Sequence, residues 1–148
     1  MPVAVGVAAL ISGGTPLAHA GAGRPPGAVI TVYKSATCGC CAKWVEHVRA
    51  TGFQVVVHDT TGLSGIKERY GVPKNLTSCH TAVVDGYVVE GHVPADVIAR
   101  LLRERPELAG VAVPGMPAGS PGMDSPMPAR YAILTFDRAG RTAVFAHR

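Results

Sequence analysis

Three of the four cysteines in the chain fall within four residues, in the segment Cys38-Gly39-Cys40-Cys41. Cys38 and Cys41 have the Cys-x-x-Cys spacing of dithiol oxidoreductases, in which a thiolate exchanges disulfides. Thiolate sulfur is also the ligand that soft metals such as Cu(I) prefer. The segment therefore indicates either thiol–disulfide chemistry or a soft-metal site.

Cys40 separates these two uses. A dithiol enzyme needs one attacking and one resolving thiol, and a third thiol beside them would compete for the disulfide. A compact Cys-x-Cys-Cys group also suits zinc poorly, because structural zinc sites usually combine two separated Cys-x-x-Cys pairs. It suits Cu(I) better, since thiolates can bridge neighbouring copper ions. The spacing therefore favours copper.

The remaining candidate ligands lie further along the chain. Cys79 is the fourth thiol, and His80 stands beside it as an auxiliary ligand candidate. Met116 and Met123 follow Pro-Gly pairs in a segment rich in proline and glycine, and thioether sulfur also binds Cu(I). We predict metal ligation by the four cysteines, with an auxiliary role for these other three residues. Three further histidines are interpreted as structural: His47, His58 and His92.

The cysteine segment is predicted to lie between a strand and a helix. Residues 29–34 form an apolar run typical of a strand, and the apolar spacing over residues 40–49 predicts a helix. Residues 35–37 are expected to cap this helix, whose amino end favours thiolate over thiol. Residues 53–58 predict a second strand, parallel to the first and buried on both faces.

The rest of the chain completes a recognisable order of elements. A short helix is predicted over residues 63–70, and two strand-like runs flank Asp85-Gly86, a strong hairpin signal. Another helix follows Pro94. The order β-α-β-α-β-β-α predicts an α/β, thioredoxin-like fold with a four-stranded mixed sheet and flanking helices, followed by a C-terminal β-hairpin. In that fold, the loop that carries Cys79 lies against the start of the first helix.

The composition of the termini predicts the domain organisation. Residues 1–20 contain no charged side chain and end in Ala-His-Ala, which predicts a signal peptide cleaved near Ala20, although the usual positive n-region is absent. We expect a disordered lead-in over 21–27 and a metal-binding domain over 28–110. Residues 111–148 are expected to form a methionine-containing loop and a hairpin packed on that domain.

Export would place the protein in the periplasm, with no membrane span after cleavage. The formal net charge of +4 comes from scattered basic residues without interleaved aromatics, which argues against nucleic acid as a partner. Copper ions and other periplasmic copper-handling proteins are the expected partners. Whether the protein turns over a substrate is left open.

Two alternatives to copper binding are weighed. Structural disulfides are the usual state of cysteines in exported proteins, but such frameworks spread their cysteines to close long loops. A thiol–disulfide oxidoreductase using Cys38 and Cys41 is the stronger alternative. Thioredoxin-like enzymes carry a proline directly before the third strand, however, and here Cys79-His80 occupy that place while Pro73 lies too far upstream.

Five sequence blocks closely resemble the CopG family of periplasmic copper-resistance proteins, known as a metal-binding domain of unknown function. They occur in the family's order and cover nearly all of the chain after residue 29. The blocks are residues 32–41 with 43–45, 78–82, 90–95, 113–117 and 119–123. The resemblance implies a thioredoxin-like fold and a cysteine-bridged cluster of several copper ions, held by Cys38, Cys40, Cys41 and Cys79. It further implies a role in copper resistance, with redox interconversion of copper.

Overall fold

The computed structural model describes residues 27–148. The predicted signal peptide and residues 21–26 of the lead-in lie outside this range. The strands are β1 Val29–Lys34, β2 Gln54–Asp59, β3 Thr81–Val84, β4 Tyr87–Glu90, β5 Gly110–Ala112, β6 Ala132–Phe136 and β7 Thr142–His147. The α-helices are α1 Gly39–Ala50, α2 Leu63–Arg69 and α3 Ala95–Glu104, with a short 3-10 helix at Lys74–Leu76.

All seven strands belong to one mixed sheet, in the order β2-β1-β3-β4-β5-β6-β7. Strand β1 pairs in parallel with β2 and antiparallel with β3, and β3 and β4 form the predicted hairpin. At its turn, Asp85 and Gly86 both have positive φ, as a two-residue type I′ turn requires. The α/β class and the order of the first seven elements therefore agree with the prediction.

The sheet has seven strands rather than the predicted four because of β5. This strand has only three residues, too few to show a periodic pattern. It pairs in parallel with β4 and antiparallel with β6. Gly110 in β5 lies so close to β4 that an added Cβ would stand 2.3 Å from the Val88 carbonyl oxygen. Through β5, the C-terminal hairpin becomes part of the central sheet.

Strand β2 is not buried on both faces, so that prediction was wrong. The strand lies at the edge of the sheet, and Val56 is 47% exposed. Val55 and Val57 pack partly against the main core, whereas the alternating residues Gln54, Val56 and His58 are exposed. The almost continuous run of valines reflects their preference for strands rather than two-sided burial.

Helices α1 and α3 pack their apolar faces into a core that lies beneath the cysteine turn (residues 38–41), whereas α2 has no buried residue. Buried side chains of α1 and α3 join those of β1, β3 and β4 in the main cluster. A smaller cluster includes Val88, Ala112 and Phe136, which alternate along their strands with members of the main cluster and so lie on the other face of the sheet. Within residues 27–148, no helix is long and apolar enough to cross a bilayer.

Candidate metal centre

The cysteine turn begins α1 with a thiol as its cap. Cys38 is the N-cap residue, and its Sγ accepts a hydrogen bond from the Cys41 backbone N–H at 3.4 Å. Residues 35–37, expected to cap the helix, instead form the turn before it, in which Cys38 N–H donates to the Ser35 carbonyl. A sulfur at this position faces the free N–H groups and the positive end of the helix dipole, which stabilise a thiolate.

The structure brings the four predicted cysteine ligands together. Their Sγ atoms all lie within 4.8 Å of one another, although Cys79 is 38 residues beyond Cys41 in sequence. Cys38 and Cys41 form a disulfide with an Sγ–Sγ distance of 2.32 Å, and Cys40 Sγ lies 3.4 Å from Cys38 Sγ. Cys41 is buried, whereas the other three are partly exposed. The four sulfurs form a compact group with one side open to solvent.

His92 contacts this group, although the sequence interpretation gave it a structural role. Its Nε2 lies 2.8 Å from Cys79 Sγ, and its Nδ1 lies 2.6 Å from the Pro121 carbonyl oxygen. Because only Nδ1–H can donate to that carbonyl, the Nε2 lone pair is directed at Cys79. Metal-binding histidines are commonly oriented by such a bond. In the sequence, only the resemblance of residues 90–95 to the CopG family pointed to a role for His92 at the site.

Burial holds the Cys79 thiol in its protonated form. Desolvation, followed by the nearby Cys40, raises the pKa of Cys79 to about 11. Burial also lowers the pKa of His92, so that its imidazole stays neutral and accepts from the thiol. A metal ion that binds this sulfur must therefore displace a proton, for which His92 Nε2 is the nearest acceptor.

His80 lies deeper than its neighbour Cys79. Its ring is fully buried, with Nδ1 3.5 Å from Cys79 Sγ and the ring centroid 4.3 Å from that of Trp44. Nε2 has no hydrogen-bond partner among the described residues. Trp44 is also fully buried and donates Nε1–H to the Val93 carbonyl at 2.9 Å, which places it in the core beneath the site.

The methionine-containing segment (residues 113–129) passes over the start of α1. An added Cβ on Gly122 would lie 2.6 Å from the Cys40 carbonyl oxygen and 3.1 Å from His92 Nδ1. Gly122 has φ +91°, so both its conformation and its close approach favour glycine. Met116 is 52% exposed and Met123 is partly buried. Ligation by these two sulfurs remains a prediction.

A buried polar network lies behind Cys79. The Glu90 carboxylate is fully buried and forms an ion pair with Lys67 of α2. It also accepts hydrogen bonds from the Ser78 backbone N–H and the Thr81 hydroxyl, both at 2.7 Å. Burial raises the pKa of Glu90, and the Lys67 charge opposes that rise. In the sequence, this network is indicated only weakly, by an acidic residue at the end of an apolar strand.

His47 fixes the chain that leads from His92 into α3. Pro94 is the N-cap of α3 and offers no side-chain acceptor, so the Ala95 N–H donates to His47 Nε2 at 3.1 Å. Burial lowers the pKa of His47 below its ordinary value of about 6.5, and Asp96 partly opposes the shift. The neutral imidazole therefore stabilises the fold above about pH 6.5, and this contribution is lost as the pH falls through the folded-state pKa.

We therefore expect His47→Gln, which keeps an acceptor but does not titrate, to lose less stability than wild type between about pH 7 and pH 5. Urea denaturation of the metal-free protein at both pH values measures this difference. His47→Ala removes the acceptor and should cost about 1 kcal/mol at pH 7, and less at pH 5, where protonation of the wild-type imidazole also removes the acceptor. An equal fall in stability for wild type and His47→Gln would contradict the role of His47.

The fold and the site together define a mixed α/β protein with a candidate soft-metal centre at the start of its first helix. Two solved structures of a copper resistance protein, "copG- Form 2" and "copG- Form 1", are similar to it, each at 47% sequence identity. Form 2 aligns with a TM-score of 0.78 over 82% of this chain and 98% of its own. Form 1 aligns with a TM-score of 0.77 over 81% and 96%.

The chain therefore belongs to the CopG family of copper resistance proteins. Residues 76–123 also match the family described as "Protein of unknown function, DUF411", and this range includes Cys79, His80, His92, Met116 and Met123. No curated protein sequence matches the chain. The resemblance seen in the five sequence blocks is confirmed.

Proposed function

We propose that this protein binds copper as Cu(I) through Cys38, Cys40, Cys41 and Cys79, in the service of copper resistance. The observation that carries this proposal is the convergence of four cysteine sulfurs within 4.8 Å, in a chain of the CopG family. Four thiolates form a soft ligand set, which selects Cu(I) over harder divalent ions.

The crowding of the sulfurs supports binding of several copper ions rather than one. Thiolates that lie this close can each bridge two metal ions, whereas a single tetrahedral ion needs four separated ligand directions. The Cys38–Cys41 disulfide must first accept two electrons and two protons to yield two thiols. His92 is the best placed auxiliary ligand, ahead of His80, because its Nε2 lone pair faces the cluster. Met116 and Met123 remain auxiliary candidates.

The proposal also includes a thioredoxin-like core, export to the periplasm, and redox change or transfer of the bound copper. The order β2-β1-β3-β4 supports a thioredoxin-like core for residues 28–110, extended by the segment and hairpin of residues 111–148. Export through the signal peptide would place the cluster in the periplasm. Redox change of the bound copper, and transfer to or from other copper-handling proteins, would serve resistance there.

The alternative is a thiol–disulfide oxidoreductase that uses Cys38 and Cys41. The disulfide between them is compatible with that activity, but the comparisons with copper resistance proteins do not favour it. Cys79-His80, directly before β3, also occupy the place where such enzymes carry a proline.

Anaerobic loading of the reduced protein with Cu(I) tests the proposal. We expect more than one copper per chain, and we expect a variant with all four cysteines changed to serine to lose this binding. Binding no tighter in wild type than in the four-serine variant would overturn the proposal. A ratio of one copper or less would leave a copper site but exclude the cluster.

A further inference from the structure

We infer that Glu90 is a positioning residue that holds the Cys79 thiol in place for the copper centre. This inference rests on the proposed function. Glu90 lies too deep to act as an exposed ligand, since its side chain is fully buried and both carboxylate oxygens already have partners. Its importance lies in the segment that it holds.

The Glu90 carboxylate binds the chain on either side of Cys79, beginning with the residue before it. Ser78 N–H donates to Glu90 Oε1, so the carboxylate fixes the peptide unit that leads directly into Cys79. After Cys79, Thr81 donates its hydroxyl to Glu90 Oε2. One carboxylate therefore binds the chain on both sides of Cys79, on the loop that enters β3.

The buried Glu90 carboxylate carries a negative charge. A buried carboxylate is costly unless a cation and hydrogen bonds compensate it. Lys67 supplies that cation, and its Nζ also donates to Thr81 Oγ1 at 3.0 Å. An uncharged apolar side chain would fill this space without the cost of burying two charges, so the ion pair is poorly explained by stability alone.

Ser78 and Glu90 also bind the start of the methionine-containing segment. Ser78 Oγ donates to the Gly115 carbonyl, and the Val113 N–H donates to the Glu90 carbonyl at 3.0 Å. The Cys79 loop and the start of this segment are therefore fixed to the same residue pair, Ser78 and Glu90. The Val113 bond is made by the Glu90 backbone and would survive a side-chain substitution. Loss of the carboxylate would instead free Ser78, and with it the fourth thiol and the link to Gly115.

Two double variants separate positioning from general stability. Glu90→Gln with Lys67→Met is neutral and keeps an oxygen that accepts from Ser78 N–H. Glu90→Leu with Lys67→Met has the same charge and similar volume but no acceptor. We expect the glutamine pair to retain Cu(I) affinity within about threefold of wild type, and the leucine pair to lose about tenfold or more, as for other residues that orient metal ligands.

A copper-free measurement distinguishes this inference from the proposed function. In a background with Cys38→Ser and Cys41→Ser, Cys40 and Cys79 can form a disulfide in a glutathione buffer, with one oxidised glutathione reduced to two thiols. The equilibrium reports how well Cys79 faces Cys40. We expect the leucine pair to lower that equilibrium constant about tenfold, and the glutamine pair to leave it near that of the background.

Each possible result either supports or overturns the positioning role of Glu90. A folded leucine pair with unchanged Cu(I) affinity and an unchanged disulfide equilibrium would overturn the positioning role. If the leucine pair does not fold, Glu90→Asp replaces it, because the shorter carboxylate keeps its charge but withdraws from Ser78 N–H. Unchanged values for that variant would equally overturn the role. A third outcome separates the two proposals. If the leucine pair lowers the disulfide equilibrium constant but the wild-type protein binds no copper, positioning is supported and the copper proposal is refuted.

Discussion

Changing Cys40 to serine is expected to lower Cu(I) affinity at least about 100-fold and to reduce the number of copper ions per chain. Loss of a residue that only orients a metal ligand costs about 10–100-fold, so loss of the ligand itself should cost at least as much. Cys40 is partly exposed and its Sγ lies 3.4 Å from Cys38 Sγ, close enough for the two thiolates to share copper ions in the proposed cluster. Competition with a chromophoric Cu(I) chelator under anaerobic conditions measures the affinity.

Ala42→Ser provides the matched control for that experiment, because it adds a hydroxyl to the same exposed turn and keeps all four thiols. It should bind copper as wild type does. The same experiment tests the dithiol alternative, since an enzyme that relies on Cys38 and Cys41 should tolerate the loss of Cys40. Wild-type copper binding by Cys40→Ser, together with intact disulfide reductase activity, would favour that alternative.

Removal of the Trp44 side chain is expected to cause the largest loss of stability from a single core substitution. Trp44 is fully buried in α1, packs on His80 and belongs to the main core cluster. Trp44→Ala should lower the free energy of unfolding by about 3–5 kcal/mol, through lost apolar burial and the cavity left behind. Urea denaturation of the reduced, metal-free protein gives the value.

Trp44→Phe separates packing from hydrogen bonding at the same position. It keeps an aromatic ring but leaves the Val93 carbonyl without its donor, which costs about 1–3 kcal/mol. We expect it to lie between wild type and Trp44→Ala. If Trp44→Ala unfolds at nearly the same urea concentration as wild type, Trp44 does not anchor α1 beneath the cysteine turn.

The elements that position the site could be predicted because their signals are local. The turn at Asp85-Gly86 and the apolar stripes of the helices each lie within one stretch of chain. Strand β5 could not be predicted, because its three residues carry no period and its place depends on pairing with β4 and β6. The edge position of β2 was missed for a related reason, since a run of valines does not reveal which faces will be covered.

The cysteine group could also be predicted from local signals, whereas the residues that surround it could not. Three sulfurs adjoin in sequence, and the element order places Cys79 near them. His92 and Glu90 depend on distances across the fold, to Cys79 and to Ser78 respectively, for which no spacing rule exists. Single histidines and acidic residues at element ends are too common to indicate a site without those contacts.

The unequal burial of the four sulfurs has a kinetic consequence for copper exchange. Cys41 is enclosed, whereas Cys38, Cys40 and Cys79 are each reached by solvent. If the protein binds Cu(I) as proposed, an incoming Cu(I) complex would exchange ligands first with the outer three sulfurs. The inner sulfur would bind afterwards, to a copper ion already held by the others. We expect uptake in at least two phases. The slower phase should depend on rearrangement within the protein rather than on carrier concentration.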